Sequence, residues 1–242
     1  MKSETIDRLR VLVSKYSQTM EIMEHGAANA VRDEGRAYGG FVRMAKGKIQ
    51  EYMTEELIKT AWISELEQDS TRLKVDSKKI RIPIRQSYVG ALKDKAAQQY
   101  ILKNIGKYYY GLSVDKHVFI DNKFVVGIEC KAYTENAMVK RILVDFYLLK
   151  TKFPDLECFL FQLESQLGGD FGEGKKNPVG SPSTSSIMSY FENVELNIVT
   201  LLEGERKVDK PINKPEFFKE LKLEHLENAV NKIVSALGKY KR

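Results

Sequence analysis

Residues 112–135 read LSVDKHVFIDNKFVVGIECKAYTE. Two runs rich in Val, Ile and Phe flank Asp121-Asn122-Lys123, a combination that specifies a β-hairpin closed by a short turn. With a three-residue turn, Ile120 faces Phe124, and counting away from the turn sets Asp115 opposite Glu129. Side chains alternate along a strand, so Glu129 and Lys131 share one face while Ile128 and Cys130 point the other way, into a core. Two carboxylates and one ammonium are therefore expected on a single patch.

Paired carboxylates are hard oxygen ligands, suited to holding magnesium while leaving positions for water and phosphate. A lysine beside them can orient or deprotonate an attacking water, so the patch suits phosphodiester hydrolysis. The letters E-x-K alone mean little, because Glu173 with Lys175, Glu205 with Lys207 and Glu220 with Lys222 repeat them. Only Glu129 follows an apolar strand that pairs with an Asp-bearing partner. The competing reading of the group is a structural ion pair. Asp121 is assigned to the turn, where aspartate bonds its own backbone. His117 shares a strand face with Asp115 and either lines the site or serves the structure.

Before the hairpin, residues 4–23 place Ile6, Leu9, Val13, Tyr16 and Met20 near helical spacing. A break is expected around Gly35, Gly39 and Gly40. A second helix then runs from about Phe41 to Leu66, with Phe41, Met44, Ile49, Met53, Leu57, Ile58 and Trp62 as its buried stripe. A polar connector leads to a short strand, KIRIPI (79–84), and a helix over 87–105. After the hairpin come a helix over 136–150, a strand over 157–164, a strand over 194–204 and a helix over 217–237. Residues 165–186, with five glycines, two prolines and five serines, read as a long loop.

This order predicts one domain over 1–242, an α/β sandwich with a mixed central sheet flanked by helices. Its parts are an N-terminal helical segment (1–35), a core bearing the site (36–203) and a C-terminal helical segment (204–242). A net charge of +6 favours a polyanionic partner, since clustered Lys and Arg release counterions from phosphates. The first residues lack the pattern of a signal peptide and no apolar run approaches membrane-spanning length, so a cytoplasmic protein with no membrane contact is expected. Cys130 and Cys158 lie in apolar runs without metal-site spacing and are expected to be buried free thiols.

Val114-Asp115 followed after thirteen residues by Glu129-Cys130-Lys131 resembles the PD-(D/E)XK nuclease superfamily, and within it the type II restriction endonucleases. Val114 stands where that pattern often has proline. The resemblance implies a restriction-endonuclease-like fold over roughly residues 40–203 and magnesium-dependent, sequence-specific cutting of double-stranded DNA that leaves 5′-phosphates. It implies Asp115 and Glu129 as metal ligands, joined by the Cys130 carbonyl, with Lys131 positioning water. It also implies a further acid on the preceding helix, for which Glu51 is chosen over Glu55. A homodimer is expected, because cutting both strands of a palindrome calls for two sites related by two-fold symmetry. A companion DNA methyltransferase follows by the same analogy. Candidate DNA contacts are Lys46 and Lys48 on the helix bearing Glu51, Tyr108 in the Lys107–Tyr110 run, Lys140 and Arg141 after the hairpin, and Lys175, Lys176 and Asn177 in the long loop.

Overall fold

The computed structural model describes residues 1–30, 35–169, 171, 179–207, 209–210 and 214–242. In chain order the elements are α1 (Ser3–Ala30), α2 (Gly35–Lys59), β1 (Leu73–Asp76), β2 (Ile80–Pro83), α3 (Gln86–Ala91), α4 (Lys95–Lys103), β3 (Tyr109–Leu112), β4 (Lys116–Ile120), β5 (Lys123–Thr134), α5 (Asn136–Lys150), β6 (Glu157–Ser165), α6 (Pro182–Ser189), β7 (Leu196–Thr200) and α7 (Leu223–Leu237). Five strands form the central sheet in the order β1-β4-β5-β6-β7, and β2 pairs with β3 in a separate two-stranded ribbon. The first three sheet strands run antiparallel and the last three parallel, so the sheet is mixed, as expected.

Parallel neighbours need crossover connections, which the chain supplies through α5 and α6. Val139, Ile142, Leu143 and Phe146 of α5 pack with Cys158, Leu160 and Ile198 of the sheet in one buried cluster. Leu9, Met53, Leu57 and Trp62 from the N-terminal helices and Leu226, Val230 and Ile233 from α7 join Ile128, Phe159 and Phe161 in the other. The sheet is thus covered on both faces. That is why β5 and β6 read as near-continuous apolar runs rather than as clean alternations.

The hairpin closes differently from the simplest count. Asp121 and Asn122 both have positive φ, 49° and 64°, and Ile120 pairs with Lys123 across a two-residue turn. The register then shifts between Phe119, which pairs with Phe124, and Val118, which pairs with Val126. Val125 is the extra residue of a β-bulge. The shorter turn and the bulge offset one another, so Lys116 pairs with Ile128 and continuation of that register sets Asp115 opposite Glu129. The Asp121 side chain does not bond its own backbone; its carboxylate accepts from Arg72, and Arg242 lies 3.0 Å from it.

Other boundaries moved too. Gly39 and Gly40 lie inside α2 rather than at a break, while the side chain of Phe41 lies outside the described residues. The polar connector contains β1, an edge strand paired with β4. The helix expected over 87–105 is two, because Asp94 accepts from the backbone of Ala96 and Ala97 and starts α4 afresh. The long loop contains α6, where Ser181 caps and Pro182 takes the first helical position. The last helix begins at Leu223, after a single 3-10 turn at Pro215–Phe217. Both cysteines are buried and free.

Candidate active site

β5 carries Glu129 and Lys131 on the face covered by α5, and Cys130 on the other. Lys131 Nζ lies 2.5 Å from Glu129 Oε2, 3.1 Å from Asp115 Oδ2 and 3.1 Å from the carbonyl oxygen of Cys130. Three oxygens from three residues therefore converge on one positively charged atom. Asp115 sits one residue ahead of β4, and its Oδ2 also accepts from the Cys130 backbone N–H at 2.7 Å. This second bond ties the aspartate to the strand bearing the other two groups, whatever side-chain motion Lys131 makes.

Glu129 has only 10% of its side chain exposed, and burial, opposed by Lys131 and reinforced by Asp115, pushes its carboxyl up to about 7. Burial pulls the Lys131 ammonium down, but the Glu129 and Asp115 carboxylates outweigh it and hold the group above its ordinary value. Asp145 of α5 is the acid that sequence reasoning missed: its charge acts on Glu129, and burial raises its own carboxyl against the pull of Arg141 and Lys131. A helical Asp thirty residues from Asp115 gives no local signal; only the packing of α5 on the sheet brings it close.

Gln162 was also missed. It pairs with Lys131 across β5 and β6, is fully buried, and donates its amide N–H to Thr200 Oγ1 at 2.9 Å. Its Oε1 has no hydrogen-bond partner among the described residues. A buried amide oxygen left without a donor, in the same cross-strand row as the site lysine, is an acceptor in reserve.

His117 does not line the site. It is buried, its Nε2 accepts from the Val114 backbone N–H at 3.2 Å, and its Nδ1 faces Asp76 at 3.5 Å. Burial lowers its pKa, with Asp76 opposing. The ring pins the chain just before Asp115, so its part is to position that residue.

The structure leaves Glu51 outside the trio. α2 meets β5 from the Cys130 face, where Thr54 Oγ1 lies 3.5 Å from the Cys130 sulfur, and Glu51 pairs with Lys48 at 3.3 Å. The Cys130 thiol is pushed up to about 12, chiefly by burial, with the charges of Asp115 and Glu51 adding to it. Glu55 is taken by Lys116 at 2.8 Å and Lys59 at 3.0 Å. Among the described residues no three His, Cys, Asp or Glu side chains gather as a metal cage. The oxygens that converge on Lys131 belong to two carboxylates and one main-chain carbonyl.

Of the expected DNA contacts, Lys46 is misplaced. It is fully buried, with its ammonium 4.2 Å from the centre of the Phe218 ring, and burial lowers its pKa to about 8 against the pull of Glu164. The helical stripe that holds Val42 and Gln50 inward also turns Lys46 inward, which its letter could not reveal. Lys48, Lys140 and Arg141 are exposed and Tyr108 is half-buried. Lys175, Lys176 and Asn177 lie outside the described residues. No described helix is long and apolar enough to cross a membrane.

No protein-family model matches the chain. A solved structure of the native BbvCI A2B2 tetramer matches 100% of this chain and 98% of its own at 12% identity with a TM-score of 0.38. The type II restriction enzyme DdeI of Desulfomicrobium norvegicum is 66% identical over 238 residues, covering 98% of this chain and 99% of that protein. Identity at that level over nearly the whole of both chains leaves one assignment: this chain belongs to the type II restriction enzymes.

Proposed function

We propose that the chain hydrolyses phosphodiesters of double-stranded DNA at a specific sequence, using magnesium held by Asp115, Glu129 and the Cys130 carbonyl. The observation that carries this reading is the convergence of those three oxygens on one cationic atom, Lys131 Nζ. A lysine ammonium there stands in for a cation, and an all-oxygen donor set matches the hard-ligand preference of magnesium. On this reading the group is a member of the PD-(D/E)XK superfamily with a restriction-endonuclease-like core.

Held by Asp115, Glu129 and the Cys130 carbonyl, magnesium would polarise the phosphoryl oxygens and help neutralise charge on the attacking and leaving oxygens. The chain's own residues do the rest. Asp115, fixed by the Cys130 N–H, and Glu129, fixed by its strand, hold the cation point. Lys131 orients the attacking water and supports the negative charge that develops on the phosphate. Gln162 Oε1 offers the lysine an acceptor once it leaves the cation point. Hydrolysis breaks the bond from phosphorus to the 3′-oxygen, leaving 5′-phosphate and 3′-hydroxyl ends. The protein acts as a homodimer on a two-fold site, in the cytoplasm, beside a methyltransferase that protects host DNA.

Digestion of phage DNA with and without magnesium, followed by sequencing of the ends, tests this. Discrete fragments sharing one short sequence and 5′-phosphates are expected with magnesium only. Cutting confined to junctions, flaps or mismatches would replace sequence recognition by structure recognition.

A further inference from the structure

The stretch between β1 and β4 carries the whole net positive charge of the chain. Residues 77–111 hold eight Lys or Arg and one Asp, a net +7, whereas all 242 residues sum to +6, so the other 207 together carry −1. All eight basic residues are exposed, and none pairs with a carboxylate among the described residues. Several basic side chains elsewhere behave differently: Lys59, Arg72, Lys116, Lys131 and Lys219 each sit on an acid.

Aromatic and apolar side chains are interleaved with these charges. Tyr88, Tyr100, Tyr109 and Tyr110 are 42–65% exposed, and Leu102 and Ile105 lie open between them. α4 buries none of its residues against the chain. Arg81 stacks its guanidinium 4.2 Å from the centre of the Tyr109 ring. The ribbon beneath is anchored, since Ile82 and Leu112 are buried in the cluster under α5. An anchored base with an unpaired basic and aromatic top is the pattern of a nucleic-acid contact: cations for phosphates, rings for sugars and base faces.

Position supports the same occupant. β3 ends at Leu112, three residues before Asp115. Six residues of extended chain span at most ~22 Å, so Tyr109 lies within one ~34 Å helical turn of a phosphate held at Asp115. A duplex cut at Asp115 therefore comes within reach of this insertion. A second copy of the chain is the poorer occupant, because two surfaces of +7 repel.

We infer that residues 77–111 form the element that grips duplex DNA beside the cut, with Arg85, Lys103 and Lys107 on phosphates and Tyr100 and Tyr109 against the groove. Continuing the β2–β3 register places Arg85 opposite Lys107 at the open end of the ribbon. The inference rests on the nuclease reading above.

Equilibrium binding of the full chain to a linear plasmid duplex in EDTA, over a salt series, tests it. The triple variant Arg85→Ala, Lys103→Ala, Lys107→Ala is expected to bind at least about tenfold more weakly, with a log–log salt slope shallower by about 2.7. A control of equal charge loss elsewhere, Lys15→Ala, Lys123→Ala, Lys214→Ala, is expected to stay near wild type. The pair Tyr100→Ala, Tyr109→Ala is expected to weaken binding with the slope unchanged. Equal binding by the triple variant, or equal loss in the control, overturns the inference while leaving the nuclease reading intact. A smaller oligomer with unchanged DNA affinity would make the insertion a contact between copies. Wild type that neither binds nor cuts duplex DNA overturns both.

Discussion

Lys131 shares its small site with two carboxylates, one of them nearly buried, and that crowding has an energetic sign. Glu129 is held away from water, and its carboxyl rises to about 7 despite a lysine 2.5 Å away. A group whose charged form is disfavoured in the fold subtracts from stability at neutral pH. Glu129→Gln is therefore expected to raise the unfolding free energy by about 1 kcal/mol while lowering cleavage by at least about 100-fold. Chemical denaturation and a cleavage time course on the same preparation check the two halves. A loss of stability would show that the ion pair holds the fold together rather than serving chemistry. The trio was legible in the sequence because strand alternation and hairpin pairing are short-range rules. Asp145 and Gln162 were not, since a helix packing over a sheet and a parallel neighbour are set by long-range contacts. Lys46 misled for the same reason: a lysine on a helix is usually solvated, and only tertiary packing shows that this one is not.

The hairpin is the element on which the site depends, and its register is set by two features acting in opposite senses. A two-residue turn with Asp121 and Asn122 at positive φ shifts the pairing by one, and the bulge at Val125 restores it. A slip of one residue would send Glu129 and Lys131 to the face of Cys130. The sequence count reached the right pairing with the wrong turn, because neither the I′-like turn nor the bulge changes the total. Asn tolerates the left-handed region, whereas a β-branched residue does not. Asn122→Val is expected to cost about 1–2 kcal/mol, and Asn122→Gly to be neutral within about 0.5 kcal/mol. Thermal melts of the two variants, read beside cleavage, check this; equal stability would show that the turn does not hold the register. Elsewhere, helix ends were the weakest part of the sequence reading. Single caps, Asp94 before α4 and Ser181 before α6, divide or start helices where apolar periodicity gave no cue.

At the scale of the whole molecule, the layers were legible and the distribution of charge was not. A run of strands and helices in this order permits few arrangements, and the mixed five-stranded sheet covered on both faces is one of them. A net charge of +6 hides the fact that one 35-residue insertion holds +7 and the rest is nearly neutral. The fold joins that insertion to Asp115 through a single short strand, so the proposed cutting and gripping sites are close neighbours along the chain. This arrangement requires chemistry at Asp115 to be separable from binding at the insertion. The direct measurement is cleavage and binding by Asp115→Ala on one linear duplex: magnesium-dependent cutting is expected to fall by at least about 100-fold, with metal-free affinity within about threefold of wild type, since a lost carboxylate removes no phosphate contact. Cutting that persists in Asp115→Ala would contradict the assignment of the site.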